Sequence, residues 1–215
     1  MCSSDLAAML GLRDADLLAG PVLDCPAGAS GFAAGARAMG ADITAVDPEY
    51  ATPHRDLVAR ARRDTEYGNR YVHENPATYA WGFFRDEADH LSRRMAAIDA
   101  FDADRRAHPG RYVAGALPNL PFADGEFRLV VSSHLLFVYP DHFGYADHLR
   151  CAGELLRVAA DEVRIFPLVD TTTAPWPYLD RLRGDLQRQG VASEVRPVDY
   201  EFIRHGHHML VLRPS

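Results

Sequence analysis

Short apolar-centred runs alternate along this chain with longer stretches in which apolar residues recur every three or four positions. "PVLDC" (21–25), "RLVVSS" (128–133) and "EVRIFPL" (162–168) have strand length and few polar breaks, as expected of strands buried on both faces. "DITAVD" (42–47) alternates apolar and polar residues and predicts strand two, and "RYVAGAL" (111–117) predicts strand three. Helical spacing fills the gaps. Residues 3–10 predict a short helix capped by Ser3, Ser4 or Asp5, and Asp14 to Leu18 a second. "FAAGARAMG" (32–40) predicts a helix closed by Gly40 in a left-handed C′ position. Asp141 to Val158 carries a stripe of Tyr145, Leu149, Ala152 and Leu156, and "PYLDRLRGDLQRQG" (177–190) ends on Gly190. Asp124-Gly125 marks a tight turn. Residues 193–213 predict two strands joined near "RHGHH", a hairpin.

From Pro48 to Gly110 the pattern is helical and aromatic, with no good strand. A crossover of roughly 60 residues far exceeds the usual connection between parallel strands, so a helical insertion or cap is expected over about 51–110. Strands alternating with helices and closed by a hairpin predict an α/β, Rossmann-like fold: a mostly parallel open sheet with a terminal antiparallel strand, in one domain spanning 1–215. Right-handed crossovers bring the strand C-termini to one edge, where a ligand binds beside strand one.

Composition narrows the chemistry. The formal net charge of −7 disfavours a broad nucleic-acid surface, and the basic run "RDLVARARR" (55–63) reads as a solvated helix face. The sequence contains no lysine, which excludes Schiff-base chemistry, pyridoxal-phosphate anchoring and a Walker A loop. Cys2, Cys25 and Cys151 are too scattered for a disulfide framework or a Cys-rich zinc site. No apolar run reaches membrane-spanning length and the N-terminus lacks a basic leader, so a cytoplasmic protein without membrane contact is expected.

The stretch "VLDCPAGASGF" (22–32) carries the strongest functional signal: Asp24 ends strand one, and Pro26, Ala27, Gly28, Ser30 and Gly31 form a small-residue turn into a helix. Small residues let the backbone approach a ligand. Nineteen residues after Gly28, Asp47 ends strand two, where a carboxylate can accept both hydroxyls of a ribose. The competing reading is a packed turn with Asp47 as a mere turn former. Pro26 stands where a dinucleotide site wants its first glycine, and Asp24 sets a negative charge near any pyrophosphate. Both disfavour an NAD-linked oxidoreductase and suit a cationic ligand such as an amino group or sulfonium.

"VLDCPAGASGF", "AVDPEY" and "LPNLPFADGEFRLVVSSHLLF" resemble successive motifs of class I S-adenosylmethionine (SAM)-dependent methyltransferases, over about Val22 to Phe166. The resemblance implies a seven-stranded sheet in which only the terminal hairpin-like strand is clearly expected to reverse. It implies that Asp24 and the Ala27–Gly28 backbone meet the methionine portion, with Pro26 and Ser30 in the same cofactor-binding turn. It implies that Asp47 holds the ribose and that Pro48 or Glu49 lies beside the adenine. Ala116 and Leu117 match the adenine edge, and Ser132, Ser133 and His134 match the end of strand four. Two further departures stand out: Ala116 replaces a common acid, and Arg128 replaces the usual aspartate at the start of strand four. "YGNRYVHENPATYAWGFF" (67–84) and residues 133–168 also resemble a group of bacterial methyltransferase-like proteins, which implies the fold and not the reaction.

On the acceptor side, His134, His142 and His148 follow strand four. An imidazole there can take a proton during methyl transfer; the competing reading has His134 ordering a loop and the others facing water. The histidines of "HGHH" (205–208) point to alternate faces of a strand and form a hairpin turn better than a metal site. Tyr71, Tyr79, Trp81, Phe83 and Phe84 either line an apolar pocket or form the insertion's own core. The reading carried forward is SAM-dependent methylation of a small molecule, with no metal. The alternative is a non-catalytic protein on the same fold that acts through partners.

Overall fold

A computed structural model describes residues 3–139 and 143–214. In chain order the helices and strands are α1 (Ser3–Met9), α2 (Asp14–Leu18), β1 (Val22–Asp24), α3 (Phe32–Ala38), β2 (Ile43–Val46), α4 (His54–Glu74), α5 (Glu87–Ala107), β3 (Tyr112–Val113), β4 (Phe127–Ser133), α6 (Tyr145–Val158), β5 (Ala159–Phe166), α7 (Leu179–Arg188), β6 (Ala192–Pro197) and β7 (His208–Arg213). Asp5, one of the caps expected for α1, sits inside the helix's first turn, and the candidate His142 lies outside the described residues.

The seven strands form one sheet in the order β3-β2-β1-β4-β5-β7-β6. β1, β2, β3, β4 and β5 pair in parallel, while β7 runs antiparallel to both β5 and β6. This is the expected mostly parallel sheet with a reversed last strand. The hairpin is expected too, but its second strand slots between β5 and β6 and leaves β6 as the edge. That edge strand carries Glu194 and Arg196, paired at 2.7 Å, which blunts its open hydrogen-bonding rim. β1 and β2 are buried at every position, so the alternation in "DITAVD" marks no exposed face: Thr44 is buried with its apolar neighbours. One core cluster on each face of the sheet covers it, one built around Phe32, Phe101 and Phe166 and the other around Phe137, Leu155 and Ile165.

Two details differ from the sequence pattern. β3 is only two residues long, against the seven of "RYVAGAL". At Gly115 an added Cβ would lie 2.9 Å from both Val46 Cγ2 and Pro121 Cδ, so the chain there is pressed against β2 instead of extending the edge. The buried face of α6 is His148, Cys151, Ala152, Leu155 and Leu156, rotated from the expected stripe; Tyr145 and Leu149 only flank it. His148, read either as a proton acceptor or as facing water, is 0% exposed and stacked on Trp176 at 4.0 Å. Its ring nitrogens lie 3.0 and 2.8 Å from the carbonyls of Gly144 and Leu136, so it pins the segment after β4 onto α6.

The long crossover forms two helices of 21 residues each, α4 and α5, packed against one another. Asp86 caps α5 by accepting from the Asp89 N–H at 2.8 Å. His54 lies 2.6 Å from Asp102, and Arg105 donates to the Tyr50 carbonyl at 2.8 Å, which ties the pair to the segment after β2. Gly31 serves this packing: an added Cβ would sit 3.1 Å from the Ala97 Cα and carbonyl oxygen. Among the described residues no helix is long and apolar enough to cross a membrane.

Candidate functional site

Chain direction reverses at β1: the chain goes outward through β2 and β3, then returns to β4 on the other side. The strand C-termini diverge at that switch point, and a cavity of about 320 Å³ opens there. The turn after β1 supplies Pro26, Ala27, Gly28 and Ser30, Asp47 follows directly on β2, and Ser133 ends β4 with His134 next in the chain. α4 and α5 close it with Ala61, Asp64, Thr65, Arg94 and Ile98.

Gly28 has φ +55°, and an added Cβ there would meet nothing within 4 Å. The turn therefore presents bare backbone to open space. Both its polar groups are fixed: the Gly28 N–H donates to Asp47 Oδ2 at 2.9 Å, and its carbonyl accepts from the Tyr50 hydroxyl at 2.7 Å. Asp47 Oδ1 accepts from the Glu49 N–H at 2.9 Å. The Asp47 carboxylate thus holds the turn and still has a lone pair on each oxygen for a ligand. Its burial raises its pKa, an effect opposed first by the Gly28 N–H and then by Arg60. Glu49 pairs with Arg60 of α4, a link between the β2 end and the covering helix. Ser30 Oγ accepts from the Phe32 N–H at 3.1 Å and caps the start of α3.

Asp24 is 1% exposed, and its Oδ2 has no hydrogen-bond partner among the described residues. Burial, and then repulsion from Asp47, push its pKa up to about 8. Ser132 is fully buried with its Oγ likewise unpartnered. Neither residue lines the cavity directly; both sit behind its floor, at the strand ends. Pro48, Ala116 and Leu117 also lie outside this cavity. They belong to the β2–β3 side, where the Gly115 N–H reaches the Asp47 carbonyl at 3.4 Å. Ala116 is exposed. Arg128 lies at the far end of β4 and donates to the Asp16 carbonyl, so it anchors α2 away from the site.

A second cavity, of about 420 Å³, adjoins the first and shares Arg94 and His134 with it. α4 runs along both mouths: Ala61, Asp64 and Thr65 face the first, and Gly68, Tyr71 and Val72 the second. Tyr71, Tyr79 and Phe84 line the second cavity, while Trp81 and Phe83 pack behind it against Phe202 and Tyr200. The aromatic cluster is therefore divided between pocket wall and core. His134 has φ +56°, a left-handed conformation uncommon for a side-chain-bearing residue. Its N–H donates to the Phe166 carbonyl at 2.8 Å and its ring Nδ1 has no partner. Burial, and secondarily the charge of Arg94, push its pKa down to about 3.

Sequence reasoning missed Arg94, Thr65, Tyr50 and the second cavity's wall from the β6–β7 link, Tyr200, Phe202 and Ile203. Arg94 had a legible signal: it occupies the inward stripe of α5 with His90, Ala97, Ile98 and Phe101, where an arginine is out of place. The "HGHH" histidines fall in the β6–β7 link and the start of β7, and among the described residues no group of three His, Cys, Asp or Glu could hold a metal ion.

No family model matches the chain. It is 25% identical over 199 residues to an uncharacterized protein of Methanocaldococcus jannaschii, covering 92% of this chain and 87% of the relative. That relative is archaeal, whereas the sequence motifs had resembled a bacterial group. Among solved structures the chain is similar to magnesium protoporphyrin IX methyltransferase from Synechocystis, determined with bound SAM (TM-score 0.53, 12% identity, 99% of this chain and 77% of that one). It is also similar to a putative SAM-dependent methyltransferase from Methanococcus maripaludis (TM-score 0.52, 12% identity, 99% and 87% covered). At such identities the likeness establishes the fold, which is the Rossmann-like fold of these methyltransferases.

Proposed function

We propose that the chain is a SAM-dependent methyltransferase whose first cavity holds the cofactor and whose second holds a small-molecule acceptor. The observation that carries this reading is the meeting of two cavities at His134 and Arg94, one floored by the glycine turn and Asp47, the other walled by aromatic rings. The solved methyltransferases of the same fold, one with SAM bound, support it.

The residues fit such a cofactor. Gly28 leaves a cradle that a Cβ would enter, and Asp47 offers free lone pairs for ribose hydroxyls. Asp24 keeps an orphaned carboxyl oxygen behind the floor, where a cationic group would draw it into its ionised form. When bound, the cofactor would supply a sulfonium methyl for transfer to an acceptor nitrogen or oxygen, with SAH as the leaving group and loss of the acceptor's proton. The protein's part is alignment and exclusion of water. α4 and α5 cover both cavities. His134, neutral at physiological pH, accepts a hydrogen bond from the acceptor's N–H or O–H and so aims its lone pair at the first cavity. Ala116 is the feature that favours the non-catalytic alternative, since no acid stands at the adenine edge.

The test is titration calorimetry with SAM, S-adenosylhomocysteine (SAH) and NAD. Binding of both sulfur ligands and not NAD is expected. No binding of either at millimolar concentration refutes the cofactor reading.

A further inference from the structure

The second cavity presents a guanidinium, Arg94, that no side chain of its walls holds directly. Arg94 makes no hydrogen bond and no ion pair among the described residues, although its burial lowers its pKa. The groups whose electrostatic influence it feels are Tyr200, Asp5, Tyr139 and Tyr79, all on the second cavity and none on the first. The one carboxylate among them, Asp5, is already engaged by Arg93 at 3.6 Å, and Arg93 in turn pairs with Asp89 at 3.1 Å. The two histidines on this wall, His90 and His134, are both held neutral above about pH 3. Asp5 thus acts on Arg94 from a distance and shares Arg93 with Asp89, and the guanidinium of Arg94 keeps its hydrogen-bonding edge for a ligand. A guanidinium's planar fork matches a carboxylate in a bidentate pair.

The rest of the wall selects shape. Phe202 stacks on His90 at 4.3 Å and leans on Tyr79 at 4.7 Å, which builds a flat aromatic side. Tyr67, Tyr71 and Tyr139 rim the mouth at 65%, 46% and 46% exposure. Large aromatic side chains left this open around a concave site mark a binding surface. Resting on the methyltransferase reading above, we propose that the acceptor is a planar aromatic carboxylate, its carboxylate held by Arg94, its ring against the Tyr79–Phe202 wall, and its methyl-accepting N–H or O–H directed to His134.

The test uses the full chain saturated with SAH and a panel of hydroxy- and amino-substituted benzoates and naphthoates, each beside its neutral carboxamide, in titration calorimetry. The expected result is that at least one carboxylate binds tenfold or more tightly than its carboxamide, and that R94Q removes the preference. Y71A, at the exposed rim, is expected to weaken the same ligand about fivefold, and this second variant carries the test if R94Q does not fold. Equal binding of acids and amides, or no binding of any panel member, overturns the proposal. A loss of SAH affinity in R94Q with no change in acid preference also overturns it, because Arg94 then belongs to the cofactor. Failure of SAH itself to bind falls on the cofactor reading instead; the acid-against-amide comparison is then run without it and still decides the anion site.

Discussion

Replacing Asp47 by alanine separates the two readings of that residue, because its effects on stability and on binding have different sizes. In the structure its two oxygens accept the Gly28 and Glu49 N–H groups, each at 2.9 Å, and the residue is 7% exposed. Hydrogen bonds to an ionised acceptor contribute about 1.5–3 kcal/mol each. Burial opposes them, and the raised pKa of Asp47 shows that the burial cost exceeds the hydrogen-bond gain when the charge forms. Alanine removes both together, and the Gly28 N–H borders a cavity that water can enter. The net loss of folding stability should therefore be only about 1 kcal/mol, read as a shift of the urea midpoint at constant slope.

Binding should suffer more. The lone pairs offered to ribose hydroxyls disappear, and the Gly28 turn loses its anchor. An increase of about 1–3 kcal/mol in SAH binding free energy is expected, a Kd roughly 5 to 150 times higher by calorimetry at 25 °C. Asp47→Asn should fall between, since its amide oxygen still serves Glu49 while its NH₂ opposes the Gly28 N–H. A variant that loses stability but keeps full SAH affinity would make Asp47 a turn former only and refute the placement of the ribose.

The two glycines of the opening motif should respond differently. Gly31→Ala forces a Cβ to 3.1 Å from the Ala97 backbone and should cost about 1–3 kcal/mol of stability with SAH affinity kept. Gly28→Ala should cost about 1–2 kcal/mol for its φ of +55° and also lower SAH affinity, because the new methyl enters the cavity. Stability should peak near pH 6.5 in urea melts across pH 5–9. His90 and His134 fall from an ordinary 6.5 to about 3, so the unfolded chain binds more protons there and stability drops as pH falls below 6.5. Asp24 rises from 3.8 to about 8, so the native state keeps the proton and stability drops as pH rises through that window, by about 1.4 kcal/mol per pH unit. Below 6.5 the two histidines outweigh Asp24, and above it Asp24 dominates. Asp24→Asn should flatten most of the alkaline decline; a variant that retains it in full would show that the buried carboxyl is not its source.

What could be read from the sequence depended on how local the signal was. β1, the Gly28 turn and Asp47 were legible because strand, turn and acid follow one another at fixed spacing, and the hydrogen bond between Gly28 and Asp47 closes that same unit. α4 and α5 were legible as helices, yet their contribution to the site was not, because a helical stripe shows which face is inward and not what it meets. The second cavity joins α1, α4, α5, the end of β4 and the β6–β7 link, which are brought together only by folding. Tyr200 and Phe202 sit in a link whose sequence looked like a simple hairpin turn. The α6 stripe was displaced because Tyr145 reaches sideways to Asp185 of α7 and the fully buried position went to a histidine.

A cation without a direct partner, such as Arg94, costs stability that a binding site must recover from its ligand. Burying a charge costs on the order of several kcal/mol even after relaxation, and the half-buried position of Arg94 leaves a smaller share of that cost in force. Arg94→Met keeps a long apolar stem on the inward stripe of α5 and deletes the charge. In the absence of ligand it should therefore stabilise the fold by about 1 kcal/mol, a rise in Tm of roughly 2–4 °C for a chain of this size. Saturating aromatic carboxylate should reverse the ranking, since at 100 times Kd a ligand adds about 2.7 kcal/mol to the wild type and little to the variant. Thermal melts of both proteins with and without the acid measure all four quantities. A destabilised Arg94→Met in the ligand-free state would mean that Arg94 is held by a structural partner, and the reasoning that leaves its charge for an acceptor would fail.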